Sequence, residues 1–359
     1  MTQLSDPGFE HWFEAHAAAT PGEGQDIARV SAVDRNSCMI RNEQGEIPAE
    51  LSGKFLFNVG SPVDLPCVGD RVAVQYHNDG ASAIIHGLFP RKTYLRRKCA
   101  GTEVDYQMIA ANIDIAFIVQ SCHFDFNLPR LNRYLVMAAD GHVEPIVILA
   151  KTDLISGDEL QGKIAAIRAA GITARVIALS NLTGSGFDEF RQAVQPGLIH
   201  CLLGSSGVGK STLINRLTGR DDLDTKAVSS TGEGTHTTTR RQLLVLDDGV
   251  MFIDTPGMRE LGLLGATEGV NKGFEDITGL STACRYADCS HTGESGCAVL
   301  AAIACGELSR DRYAGYLKLR KESEFHELSY LGKRKKDRAF GRFVKMARKD
   351  MKRWDNHRP

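Results

Sequence analysis

The 359-residue sequence lacks any run approaching the ~18 consecutive apolar residues that a membrane helix requires. Its opening, MTQLSDPGFEHWFEAHAAAT, lacks both the basic start and the apolar core of a secretory signal. These two absences set the expectation of a cytoplasmic chain with no membrane partner. Compositional extremes are lacking as well, since 42% hydrophobic and 24% charged residues are ordinary for a soluble globular protein, and the length allows two or three domains. An even set of cysteines is also missing. Of nine, Cys38, Cys67, Cys99, Cys122 and Cys201 are scattered in or near apolar runs, where inert buried thiols are common. The other four, Cys284, Cys289, Cys297 and Cys305, fall within 22 positions, which in a cytosolic chain points to a metal rather than to disulfides.

Net charge is close to absent, at −1, but it is unevenly spread. Residues 330–359 carry 12 Lys and Arg against Asp337, Asp350 and Asp355, a local +9 that leaves −10 for the remainder. With Phe340, Phe343 and Trp354 interleaved, that density favours nucleic-acid binding over a merely solvated tail.

From Asp26 to about Lys98 the chain runs through short strand-like segments, IARVSAV, SCMIRN, IPAEL, DRVAVQY and ASAIIHGLF, separated by turn residues such as Asn78-Asp79-Gly80. Such spacing predicts a small antiparallel barrel, most economically an OB-fold. A small barrel without nucleic-acid contacts is the alternative. The basic exit RKTYLRRK, Arg91 to Lys98, favours a charged binding face. From Asn112 onward, buried apolar strands (IDIAFIVQ, PIVILA, ARVIAL, LIHCLLG, QLLVL, VMFI) alternate with helix-length segments, the pattern of a parallel α/β sheet. In such sheets the ligand lies at the carboxyl ends of the strands, so the turns there carry the chemistry.

After LIHCLL comes an unbroken G-x-x-x-x-G-K-S, Gly204-Ser205-Ser206-Gly207-Val208-Gly209-Lys210-Ser211, with Thr212 next in line. The glycines let backbone N–H groups converge on phosphates, Lys210 reaches the β and γ phosphates, and the Ser211 hydroxyl is placed to ligate Mg²⁺ at a helix N-terminus. What the sequence lacks is a guanine-reading N-K-x-D motif downstream: the one later N-K, Asn271-Lys272-Gly273-Phe274, has Phe in place of Asp and no apolar strand before it. A candidate base reader lies upstream instead. Lys151-Thr152-Asp153 follows PIVILA; a carboxylate there accepts from the guanine ring N–H and exocyclic amine together, and the Lys stem lies along the base. The customary Asn is Ala150 here. One α/β unit later, Ser180-Asn181-Leu182-Thr183-Gly184 is placed to present backbone N–H groups to the guanine oxygen. Downstream of the loop, Gly232-Glu233-Gly234-Thr235-His236-Thr237-Thr238-Thr239 reads as a γ-phosphate-sensing switch whose Mg²⁺-ligating residue is Thr238 or else Thr237. Asp254-Thr255-Pro256-Gly257 then offers an Asp for the Mg²⁺ water shell and the Gly257 N–H for the γ-phosphate. Every part of a guanine-nucleotide site is present in rotated order, as a circular permutation would leave it.

Cys284-x4-Cys289-x-His291-x5-Cys297 supplies three thiolates and an imidazole, the ligand set of a closed, structural zinc site. Cys305 is left over and is expected to pack. The expected division is an extension at 1–25, an OB-fold domain at 26–98, a circularly permuted P-loop α/β domain at 99–277, and a zinc-binding, α-rich domain with a basic tail at 278–359.

On these residues the chain resembles the ribosome small-subunit-dependent GTPase A family over nearly its whole length. The resemblance implies a cytoplasmic, monomeric GTP hydrolase that binds GTP and GDP with Mg²⁺, holds one structural zinc, and acts late in 30S subunit maturation through 16S rRNA. Met258 stands where Ras-like enzymes place a water-orienting Gln, so intrinsic hydrolysis is expected to be slow. The resemblance and the chemistry together nominate His236, beside Lys210 and Thr238, as the catalytic set. Two other readings are a GTP-binding rRNA scaffold with negligible turnover and an ATP-dependent enzyme, the latter disfavoured by Asp153.

Overall fold

The computed structural model describes residues 22, 24–34, 37–42, 45–99, 105–219, 241–246, 248–255, 265–324 and 332. Switch residues His236, Thr237 and Thr238, as well as Gly257, Met258 and the basic tail apart from residue 332, lie outside them.

Strands β1 (Asp26–Val33), β2 (Cys38–Asn42), β3 (Gly45–Leu51), β4 (Arg71–His77) and β5 (Ser82–Leu88) close on themselves in the order β1-β2-β3-β5-β4-β1. Period-two alternation puts Val30, Ile40, Val72, Val74 and Ile85 inside, all fully buried. β3 and β5 run parallel, so no tight turn joins them, and the short helix α1 (Gly53–Asn58) sits in the connection that leads to β4. This closed five-stranded barrel is the expected OB-fold. Asn78, Asp79 and Gly80 adopt φ of 53°, 54° and 88°, the left-handed turn that the sequence predicts between β4 and β5.

β6 (Tyr94–Lys98) and β7 (Tyr106–Ala111) form a separate hairpin whose turn falls just after residue 98. The basic exit is thus partly a correction to the sequence reading: Arg91 and Arg96 turn inward. Arg91 pairs with the buried Asp70 through Nε–Oδ1 at 2.8 Å and Nη2–Oδ2 at 2.7 Å, and donates to the carbonyls of Val63 and Leu65. Arg96 pairs with Asp140 and lies over the Tyr106 ring. Arg91 thus braces the barrel's own exit, and Arg96 ties the hairpin to the next domain, instead of facing a ligand. Gly69 sits at the same joint with φ 93°, and a Cβ there would stand 2.1 Å from the Ala111 carbonyl, so only glycine fits.

The α/β sheet runs in the order β10 (Arg175–Ala178), β9 (Glu144–Ala150), β8 (Ile115–Ser121), β11 (Ile199–Leu203), β13 (Met251–Asp254), β12 (Gln242–Val245), all parallel except β12. Alternation along β8 sorts the two faces. Ala116 and Ile118 join the core under helices α2 (Leu128–Asp140) and α3 (Gly157–Ala169), while Ile115, Phe117 and Val119 join that under α4 (Phe187–Ala193) and α5 (Lys210–Thr218). The strands that precede β11 in sequence flank it on one side and those that follow it flank it on the other. A chain running from β11 to β13 and then from β8 to β10 would build the same sheet, which is what circular permutation means here.

On the α2 face the chain continues through α6 (Thr267–Gly273), α7 (Glu275–Ser281), α8 (Ala298–Cys305) and a helix α9 over residues 310–324. A Cβ at Gly269 would stand 2.3 Å from the Val136 carbonyl, so α6 crosses α2 almost backbone to backbone. Asn271 and Lys272 lie within α6, away from any strand end, consistent with their dismissal as a base reader.

One buried histidine makes a stability test. His200 in β11 is fully buried, stacked on Phe117, donating from Nδ1 to the Met251 carbonyl and accepting at Nε2 from Gln195 N–H. Burial pushes its pKa down to about 4, against the hydrogen bond to Met251. The folded value lies below the unfolded one of about 6.5, so the stabilisation is complete above pH 6.5 and is lost as pH falls toward 4, by on the order of 3 kcal/mol. Urea unfolding of the wild type and His200→Gln across that range should show the variant losing less stability than the wild type; parallel curves contradict the assignment.

Candidate functional site

The phosphate loop leaves β11 at Leu203 and enters α5 at Lys210. Three glycines take positive φ: Gly204 at 150°, Gly207 at 80° and Gly209 at 106°. At Gly204 a Cβ would stand 2.3 Å from the Val119 carbonyl of β8, so the glycine is needed for close approach as well as for its dihedral. Lys210 is buried and folds back over the loop, its Nζ donating to the Gly204 and Ser205 carbonyls at 2.9 and 2.8 Å. Burial brings its pKa down to about 8, against the fields of Asp254, Asp125 and Cys201. Ser205 and Val208 are buried, whereas Ser206, Gly207 and Gly209 are half-buried. Ser211 and Thr212 stand in the first turn of α5, half-buried and exposed respectively, where the helix N-terminus favours anions.

The upstream turns converge on this loop. Lys151 ends β9 in the left-handed region, at φ 61°, and opens a single helical turn over Thr152–Leu154 that leaves Asp153 exposed. Ser180, at the end of the β10 segment, donates its hydroxyl to Asp153 Oδ1 at 2.5 Å. The same hydroxyl accepts from the N–H groups of Leu182 and Thr183, and the Gly184 N–H reaches the Ser180 carbonyl. The expectation that this turn offers several N–H groups to a base narrows to Asn181, because those of Ser180, Leu182, Thr183 and Gly184 are spent locally. Ser180 gains a role that the sequence did not reveal, aiming the Asp153 carboxylate. Asn181 Nδ2 donates to the Gly209 carbonyl at 3.3 Å, and Arg216 of α5 holds the Asn181 carbonyl. Hydrogen bonds therefore fasten the base-side turns to the phosphate loop.

On the other flank, Asp254 closes β13, 2% exposed, and Thr255 Oγ1 donates to the Leu202 carbonyl at 2.7 Å, pinning the β13 end against β11. Chemically, one sheet edge gathers a cation under a cradle of amides, a hydroxyl at a helix start, a buried carboxylate and a second carboxylate aimed outward. That set suits a nucleotide with its Mg²⁺: Ser211 and Asp254 are the described residues placed for the ion, and the ion would offset phosphate charge.

A second site lies beyond α7. Cys284, Cys289, His291 and Cys297 bring four ligand atoms within 4.8 Å of one another. Cys284 Sγ and Cys297 Sγ stand 3.6 and 3.5 Å from His291 Nδ1, and 3.9 Å from each other. A tetrahedral zinc about 2.3 Å from sulfur and about 2.0 Å from nitrogen implies separations of roughly 3.5–3.8 Å, so the set fits that ion. Three supports went unread in the sequence. His291 takes φ 63°; the Glu294 carboxylate, held well below its ordinary range by the Ser290 hydroxyl and the loop amides, closes the knuckle between the ligands; and Tyr313 of α9 donates its hydroxyl to the His291 carbonyl. Cys289 and Cys297 belong to the same apolar cluster as α2, so the segment borrows the α/β domain's core. Cys305 corrects the sequence reading: it is exposed at the end of α8, not packed.

Asp153→Asn should shift binding from guanine toward xanthine nucleotides by about tenfold or more, since an amide donates where the carboxylate only accepts. Competition binding of GTP and XTP reads this directly, and an unchanged guanine preference rejects Asp153 as the base reader. Cys289→Ser should lose the metal and loosen segment 284–297 while nucleotide is still bound, because the two sites draw on different elements. Elemental analysis finding full zinc occupancy would contradict it.

A family profile described as RsgA GTPase matches residues 88–264. The small ribosomal subunit biogenesis GTPase RsgA of Opitutus terrae is 38% identical over 332 residues, 90% of each chain. The RsgA 2 protein of Lactiplantibacillus plantarum is 39% identical over 328 residues, 90% of this chain and 92% of its own. Among solved structures, YjeQ from Thermotoga maritima superposes with a TM-score of 0.60 at 26% identity, over 83% of this chain and 98% of that one. YloQ, described as a circularly permuted GTPase, shares the fold with a TM-score of 0.59 at 23% identity, over 87% and 99%. With relatives this similar along nearly its whole length, the chain belongs to the RsgA GTPase family and is a GTP hydrolase of circularly permuted fold.

Proposed function

We propose that this GTPase acts in biogenesis of the small ribosomal subunit, cycling between GTP and GDP as it binds and leaves the 30S particle through 16S rRNA. The observation that carries the reading is the pairing of a phosphate loop and its base-side turns with a Cys₃His knuckle in one chain whose relatives are named for that process. The basic tail, +9 over residues 330–359, supports an RNA partner, because Lys and Arg gain affinity by releasing counterions from phosphates. The chain acts in the cytoplasm, as a monomer, with the domain division given above.

At the site, Lys151, Thr152, Asp153, Ser180 and Asn181 hold the base, and Gly204 to Thr212 hold the phosphates. Asp254, Ser211 and Thr238 surround Mg²⁺, with Gly257 at the γ-phosphate. The four-ligand zinc has no open position and is structural. Because Met258 cannot orient water, turnover is slow until the ribosome orders the switch and brings His236 to the attacking water. An imidazole with an ordinary pKa near 6.5 exchanges hydrogen bonds with water at physiological pH.

GTP turnover measured with and without purified 30S subunits separates this reading from a GTP-binding scaffold, which would show no stimulation. His236→Ala should leave GTP affinity and basal turnover nearly unchanged while lowering the stimulated rate by roughly 10²-fold. Normal stimulation of the variant at matched 30S occupancy would assign the role elsewhere.

A further inference from the structure

Where a guanine reader customarily has Asn, β9 ends in Ala150, 1% exposed and packed in the same apolar cluster as Val208 of the phosphate loop and Leu213 of α5. No side-chain amide stands there. The neighbouring strand supplies one. β10 pairs parallel with β9, Ala178 opposite Leu149, and the Thr152 N–H donates to the Leu179 carbonyl, so the turns that leave the two strands run side by side. In the second of these turns Asn181 aims its amide at the phosphate loop, Nδ2 donating to the Gly209 carbonyl at 3.3 Å. Gly209 makes room for it, since a Cβ there would stand 3.2 Å from that nitrogen. Oδ1 of Asn181 is buried and, among the described residues, has no hydrogen-bond partner. The amide is held this way round, because turning it over would set its oxygen against the Gly209 carbonyl.

Arg216 fixes the same turn from the far end of α5. Its guanidinium donates to the Asn181 carbonyl and lies over the Phe187 ring at 4.9 Å. It also stands so close to Gly184, at φ 84°, that a Cβ on that glycine would come within 2.5 Å of Nη2. Gly209 caps the start of α5 and Arg216 lies in its last turn. The turn after β10 is thus bracketed at two points on one rigid helix, the helix whose start carries Lys210 and Ser211. Within the turn, the Ser180 hydroxyl bonds the Asp153 carboxylate while accepting from Leu182 and Thr183. Phosphate loop and base-side carboxylate are in this way held at a set spacing.

We propose that the Asn181 side chain is a positioning residue that sets base specificity: from the end of β10 its amide ties the base reader to the phosphate loop, standing in for the amide that position 150 lacks. This rests on the nucleotide-site reading above and goes beyond it, since there Asn181 offers the base only its backbone N–H. The physical basis is coupling. A diphosphate seated in the loop fixes α5, and through Asn181 and Arg216 it fixes the turn that aims Asp153, so the base contact is made with little further ordering. With the tie cut, each half must be ordered separately.

The test is equilibrium binding of GDP and ADP to the full-length protein. ADP presents the same phosphates but an adenine that Asp153 repels, so its affinity reports the loop alone. Asn181→Ala should weaken GDP about threefold to thirtyfold and ADP by less than about twofold, shrinking the guanine preference. Asn181→Asp keeps the shape but sets a carboxylate against the Gly209 carbonyl, and should do at least as much. Ala150→Asn should restore GDP affinity in the Asn181→Ala background and give no gain in the wild type, which already has its amide. If Ala150→Asn overpacks its apolar site and does not fold, judged by circular dichroism, the two Asn181 variants decide alone. Loss of GDP and ADP affinity by the same factor in Asn181→Ala would make Asn181 merely structural and overturn the proposal. Full guanine preference in Asn181→Asp, or an equal effect of Ala150→Asn in both backgrounds, would overturn it too. If Lys210→Ala fails to weaken GDP binding, it is the underlying nucleotide-site assignment that falls, so the two failures are distinguishable.

Discussion

The nucleotide edge depends on one close approach: the backbone of Gly204 passes against the Val119 carbonyl of β8 with no room for a side chain. β11, which launches the phosphate loop, is hydrogen-bonded to β8 along His200–Leu203, and β8 begins the half of the sheet that carries the base-side turns. Were the loop to stand further out, Asn181 would not reach the Gly209 carbonyl and Arg216 would not reach Asn181. The contact is therefore the seam at which two halves, supplied in reversed order by the chain, become one site. It also explains why permutation does so little harm. Sheet order and register are set by side-chain alternation and strand pairing, both blind to which strand is made first.

The same order has a consequence on the helical face. Since the base-side half is made first, α2 comes early in the α/β domain, and the later segment 265–324 returns to pack on it. The backbone-close crossing at Gly269, the paired ions of Arg133 and Glu322, and the shared core around Cys289 and Cys297 make the zinc segment an extension of the α/β domain. A metal in that segment would fix a loop that has few apolar residues of its own, and Tyr313 ties that loop to α9. At the opposite end, Arg96 ties the β6–β7 hairpin to Asp140 of α2, while the barrel's own exit is braced by Asp70 and Arg91. Both charges are largely buried and fully paired, an arrangement that costs much to break because either partner alone would be a buried ion.

Much of this was legible in the sequence where chemistry is local. A G-x-x-x-x-G-K-S after an apolar strand admits few conformations, and the structure supplies the strand, the three positive-φ glycines and the helix. The Cys and His spacing likewise led to four ligand atoms that meet. Barrel strands were readable because period-two alternation is a property of single strands. Reading failed where a residue's part is set by something distant in the chain. Arg91 and Arg96 looked like a binding face because nothing nearby shows that Asp70 and Asp140 await them. Cys305 was expected to pack because it was left over from the metal-ligand set, and only the packing of the apolar α8 shows which side faces out.

The sequence by itself determined the chemical inventory and the local geometry: a phosphate-loop motif, a Cys₃His set of metal-ligand type, where strands and turns fall, and that the parts occur in rotated order. Those follow from dihedral preference, donor and acceptor chemistry, and periodicity, all of which act over a few residues. Only the tertiary structure decided which charges are spent inside, which amides of the Ser180 turn remain for a ligand, and that the zinc knuckle shares an apolar core with α2. These are settled by pairings such as Asp125 with Arg130 and Arg133 with Glu322, the latter 189 residues apart, and separation of that length leaves no local pattern to read.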